Sequence, residues 1–106
     1  MKKLITVFTC VLVLSLPLAA ADAAAGKAAY AKACKSCHGP DGAGNPAVAK
    51  MMKVEMKPLG SKDVQAKSDD ELKAVITKGA GKMKPITSLF DNQASALVAF
   101  IRTLKQ

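Results

Sequence analysis

Ala33-Cys34-Lys35-Ser36-Cys37-His38-Gly39 is the stretch whose reading decides the rest of the chain. Cys34, Cys37 and His38 are spaced i, i+3 and i+4, so on a helix they share one face. Two thiols on one face can form thioethers to the two vinyl groups of a single porphyrin. The adjacent imidazole then reaches under the ring to bind its iron. Cys-x-x-Cys-His is accordingly the attachment pattern of a c-type haem. Three other chemistries fit these residues less well. A Cys34–Cys37 disulfide closes too small a loop to constrain the chain much. A zinc site lacks partners, because His38 is the only histidine and no second cysteine pair follows. A thioredoxin-like redox pair belongs beside a strand–helix–strand pattern, and no convincing strand is legible.

Upstream, Lys2 and Lys3 precede an almost unbroken apolar run from Leu4 to Leu16, which Pro17 breaks before a stretch of small residues. Ala21-Asp22-Ala23 and Ala19-Ala20-Ala21 both fit a small-x-small cleavage pattern, so residues 1–23 have the three-part anatomy of a secretory signal peptide. The competing reading, an uncleaved anchor, needs Leu4 to Ala21 to span a bilayer, for which it is barely long enough. Cleavage after Ala23 is preferred. It predicts one exported, periplasmic domain over 24–106 with no stable membrane insertion once the leader is removed. Cys10 lies inside the apolar run and leaves with it.

The expected mature chain of 83 residues holds 14 basic and 7 acidic side chains, a net charge of +7. A basic surface suits nucleic acid, membrane or an acidic protein partner. Export and the lack of aromatic-basic interleaving argue against nucleic acid. At this size a protein-only core is marginal. Tyr30, Phe90 and Phe100 are the only aromatics beyond the leader, so a haem would supply the missing apolar body.

Helices are predicted from four segments. Ala24 to Cys37 is alanine-rich, which favours helix, and Tyr30, Ala33, Cys34 and Cys37 recur at helical spacing. Gly26 within it implies close approach by another helix, and Tyr30 is read as a core aromatic with its hydroxyl at the surface. Gly39 to Pro46 is a dense run of turn formers. A backbone carbonyl there, with Pro46 the candidate, is placed to accept the second N–H of His38. Ala47 to Met52 suits a short helix, and Val48, Met51, Met52, Val54, Met56 and Leu59 are expected to line one edge of a haem pocket. Ser68-Asp69-Asp70-Glu71 fits a capping box, opening a helix with Leu72, Val75 and Ile76 as its apolar stripe and Gly79 as its terminator. Asp91 to Leu104 places Leu97, Phe100, Ile101 and Leu104 on one face, with Asp91 the expected cap.

A haem with one protein ligand has an open sixth position, and what fills it separates electron transfer from small-molecule chemistry. With no second histidine, methionine sulfur is the strong candidate. Met83 stands in Gly79-Ala80-Gly81-Lys82-Met83-Lys84-Pro85, between flexible glycines and a rigid proline, and is preferred; Met51, Met52 and Met56 are the alternatives.

Taken together, Gly26-x-x-x-Tyr30, Cys34-Lys-Ser-Cys37-His38-Gly39, the glycine-flanked Met83 and the closing Leu97-x-x-Phe100-Ile101 helix resemble a class I monohaem cytochrome c of the small bacterial kind. Here Lys84 separates Met83 from Pro85, whereas proline often follows the ligand methionine directly. The resemblance implies an all-α cytochrome c fold in which N- and C-terminal helices cross beside one haem c bound through two thioethers. It also implies His38 and Met83 as axial ligands. The expected role is that of a one-electron carrier and not an enzyme, with no catalytic residues. The protein is expected to be a monomer that docks acidic patches of redox partners through Lys35, Lys82 and Lys84. Two further functions stay open: a dedicated electron-transfer subunit of a redox enzyme, and a haem-based sensor or enzyme in which the methionine is labile.

Overall fold

The computed structural model describes residues 18–106, with side chains from Asp22 onward. Most of the leader expected over 1–23 lies outside the described residues. The described chain is all-α, with no strand, as expected. Its elements are α1 (Leu18–Ala33), α2 (Lys35–His38), α3 (Pro46–Met52), α4 (Lys62–Gln65), α5 (Asp69–Lys78) and α6 (Asp91–Thr103). None of these helices is long and apolar enough to cross a membrane.

The frame is the crossing of α1 with α6. Gly26 makes it possible, because a Cβ there would collide with the Ala96 carbonyl and press on Phe100 Cβ. The close approach buries Leu97, Val98, Phe100 and Ile101 of α6 against Ala29 and Tyr30 of α1 and against Cys34 just beyond its end. Tyr30 and Phe100 meet with ring centroids 5.1 Å apart and planes tilted by 52°, a geometry that favours aromatic pairs beyond their buried area. Leu97 is fully buried, which stabilises by about 2 kcal/mol for a side chain of that size. Leu72 and Ile76 bring α5 into the same core.

Local chemistry sets the helix boundaries. Asn45 caps α3 by accepting the Ala47 and Val48 N–H groups, with Pro46 at the first helical position. Ser68 Oγ accepts the Glu71 N–H at 3.1 Å, and α5 ends at Gly79, whose φ of 77° suits glycine. At α6 the expected cap is displaced by one residue. Phe90 holds the N-cap position, and its N–H donates to Gln93 Oε1 at 2.9 Å. Asp91 instead pairs with Lys73 across to α5 at 3.0 Å.

α4 was not legible in the sequence, being too short to show a period. It is tied to α6 by two side chains. Gln65 Nε2 donates to the carbonyls of Leu59 and Ile101. Arg102 donates to the carbonyls of Gln65 and Lys67 and pairs with Asp69 Oδ1.

Candidate haem site

The first helix does not run continuously through the Cys-x-x-Cys-His stretch. α1 stops at Ala33, and Cys34 stands at the junction with φ of −120° before α2 begins at Lys35. The helical turn survives the break, because Cys34 O accepts from both Cys37 N (3.2 Å) and His38 N (2.9 Å). The i, i+3, i+4 face predicted from spacing is therefore preserved. Cys34, Cys37 and His38 all line one cavity of about 400 Å³.

The turn that follows folds back on the ligand-bearing segment. Gly44 N–H donates to His38 O at 2.7 Å, and Asn45 N–H to Cys37 O at 2.9 Å. His38 is shielded enough that burial holds its imidazole below its usual pKa, which favours the neutral ring whose lone pair can be given to a metal. Its Nδ1 is buried with no hydrogen-bond partner among the described residues, so the acceptor expected at Pro46 is not engaged. An unpartnered buried nitrogen costs about 1–3 kcal/mol. Burial also pushes the Cys34 thiol up to about 11, helped by the neighbouring Cys37. A thiolate-driven redox pair needs the opposite shift.

Met83 lines the same cavity from a separate segment, held in a tight turn. Ala80 N–H donates to Met83 O at 3.1 Å and Met83 N–H to Ala80 O at 2.9 Å, closing a two-residue loop with Gly81 at φ of 55°. A positive φ at the first central residue is what such turns require. Gly79 faces Met83 O and Pro85 so closely that a Cβ would lie 2.6 Å from that oxygen. The loop is hung from two further points. Ile86 N–H donates to Ile76 O of α5 at 2.9 Å, and Lys82 Nζ reaches the Met52 carbonyl at the end of α3 at 2.5 Å.

The alternative methionines separate in the structure. Met51 is 75% exposed and points away. Met52 and Met56 line the cavity together with Met83, and Met56 packs beside Gly44 on the histidine side. Val48 does not reach the lining, and Leu59 packs toward Gly42 and the main core instead. Spacing placed both at the pocket because it cannot tell which side of an irregular segment faces inward. Glu55 and Ile86 do line it, without any signal in the sequence.

These residues fit a haem. The lining is mostly apolar, with two thiols and an imidazole from one segment, a thioether from another, and Lys82 and Lys84 among the lining residues. By contrast, no group of three or more His, Cys, Asp or Glu side chains among the described residues is disposed to hold a bare metal ion.

The all-α frame with a Cys-x-x-Cys-His turn facing a methionine loop defines a c-type cytochrome domain. The sequence profile of the family described as cytochrome c oxidase, cbb3-type, subunit III matches residues 21–101, and the chain belongs to that family. A solved structure, that of the KustC0563 c-type cytochrome, superposes with a TM-score of 0.65 at 26% identity, covering 76% of this chain and 98% of that one. No curated protein matches the chain. Family membership brings covalently bound haem c and, in general, an electron-carrying role.

Proposed function

We propose that this protein is a periplasmic one-electron carrier with one haem c joined by thioethers to Cys34 and Cys37 and ligated by His38 and Met83. The observation that carries this reading is that these four side chains, from two separate segments, line a single cavity. A haem held there supplies a ferric/ferrous couple. Cys34 and Cys37 would keep it from being lost outside the cell. His38 and Met83 would both hold its iron, and a change of oxidation state would then need no ligand to enter or leave. The apolar lining limits water at the centre, which together with a thioether ligand favours the reduced form.

Lys35, Lys82 and Lys84 are exposed around this region. Several acidic side chains elsewhere are already paired: Asp63 with Lys57, Asp69 with Arg102 and Asp91 with Lys73. The surplus positive charge beside the opening suits docking of an acidic redox partner, with fast encounter and weak binding. A second reading is favoured by the family's description, which names a subunit of an oxidase: the domain would then pass electrons to one enzyme and not diffuse between several.

Native protein isolated from the periplasm is expected to carry one haem per chain, attached at Cys34 and Cys37 in peptide mapping. The rate of electron transfer to an acidic redox partner should fall as ionic strength rises. Free thiols at both positions would sink the haem assignment, and a flat salt profile would sink the docking surface.

A further inference from the structure

Four consecutive carbonyl oxygens at the ligand-bearing turn each accept a hydrogen bond from outside α2. Asn45 Nδ2 donates to Ser36 O at 3.2 Å, Asn45 N–H to Cys37 O at 2.9 Å and Gly44 N–H to His38 O at 2.7 Å. Tyr30 Oη donates to Gly39 O at 2.5 Å, and the Gly42 N–H makes a longer bond to the same oxygen at 3.4 Å from within the turn. The donors from Gly42, Gly44 and Asn45 belong to the same excursion of chain as the turn, so they can move with it. Tyr30 cannot. Its residue is 2% exposed, its ring lies against Phe100, and its helix is locked to α6 where Gly26 meets Ala96. Of the five donors, Tyr30 alone refers the turn to the helical core.

The hydroxyl is therefore not at the surface, as helical spacing suggested, but buried against the residue that follows His38. The His38 ring itself has no acceptor at Nδ1 among the described residues. A ligand imidazole is ordinarily oriented by a hydrogen bond from its second nitrogen. The backbone that carries the ring also sets its direction, and Gly39 is the next residue along that backbone.

We propose that Tyr30 is a positioning residue for the axial imidazole, its hydroxyl fixing the Gly39 carbonyl and through it the orientation of His38 over the cavity. This rests on the haem-attachment reading of Cys34, Cys37 and His38. It differs from a packing role in one respect: packing is carried by the ring, and positioning by the oxygen alone. Tyr30→Phe removes only the oxygen. Phe100→Leu removes aromatic packing and leaves the Tyr30–Gly39 bond in place.

The test compares the holoproteins by low-temperature electron paramagnetic resonance of the ferric form, together with their reduction potentials. Tyr30→Phe is expected to carry a full complement of haem with altered g-anisotropy and a shifted potential. Phe100→Leu is expected to lower the unfolding midpoint with the wild-type g-values kept. Replacing Tyr30 by 3-fluorotyrosine keeps ring and hydroxyl and strengthens the donor, so its g-anisotropy should move in the opposite sense to Tyr30→Phe. It also serves if Tyr30→Phe fails to mature. Wild-type g-values and potential in Tyr30→Phe, or in the fluorotyrosine protein, would overturn the proposal while leaving the haem assignment standing. A wild-type protein without covalent haem would overturn both.

Discussion

The segment carrying Cys34, Cys37 and His38 and the segment carrying Met83 face the same cavity, yet they are fastened to the rest of the chain by different means. The first is gripped residue by residue: each carbonyl from Ser36 to Gly39 accepts a bond from a neighbouring segment, and Cys34 is part of the main core. The second closes mostly on itself, through the Ala80–Met83 pair, and is hung from α5 by one backbone bond and from α3 by one lysine. Lys82 is exposed, so the bond it makes competes with water. The difference teaches which wall yields first. Thermal or chemical stress should open the methionine side locally, at low free energy, while the histidine side persists until the whole fold is lost.

The largest test of that contrast attacks the frame behind the histidine wall. Gly26→Val drives a side chain into the Ala96 carbonyl, and overpacking at a helix crossing of this kind costs about 3 kcal/mol. Denaturant unfolding should show the loss as one global transition, with haem and tertiary signals moving together. Lys82→Met sharpens the comparison from the other wall. It removes a charged donor to the Met52 carbonyl, worth at most about 1 kcal/mol at an exposed site. That corresponds to up to about a fivefold rise in the rate at which added imidazole enters the ferric protein, with the global unfolding midpoint nearly unchanged. Lys84→Met, which breaks no hydrogen bond found among the described residues, should leave the imidazole rate as it is.

The smallest effect is a pH dependence. Burial, with smaller contributions from Cys34 and Asp41, pushes the Tyr30 hydroxyl up to about 12, whereas an unfolded tyrosine titrates near about 10. A raised value in the folded state favours the protonated form there. The stability that Tyr30 contributes is therefore fully present below about pH 10 and is lost as pH rises toward about 12. Tyr30→Phe lacks this component, so the stability gap between wild type and variant should narrow over that window in equilibrium unfolding.

Much of this architecture was legible because strong local signals agreed with one another. Helical spacing gave the shared face of Cys34, Cys37 and His38, Gly26 announced the close crossing, and Ser68 with Gly79 marked both ends of α5. What was missed depends on partners distant in sequence or on irregular backbone. Periodicity placed Tyr30 in the core, but the carbonyl its hydroxyl meets lies nine residues away across a turn. The cap of α6 moved because a Gln93 side chain satisfies the Phe90 N–H directly, freeing Asp91 to pair with Lys73. The lining of the cavity between 48 and 59 has no period to read, so Met51 and Leu59 could not be told from Met52 and Met56. Lys82 looked like a docking charge and proved also to be a structural tie.

Three methionines, Met52, Met56 and Met83, line the cavity, and Met83 is the proposed ligand. Absorption of the ferric holoprotein in the region of the sulfur-to-iron charge-transfer band decides the matter when recorded for Met83→Ala, Met52→Ala and Met56→Ala. The band should vanish in Met83→Ala, with carbon monoxide then binding readily to the reduced form, and persist in the other two. A band that survives in Met83→Ala, or disappears in Met56→Ala, would contradict the pairing of His38 with Met83.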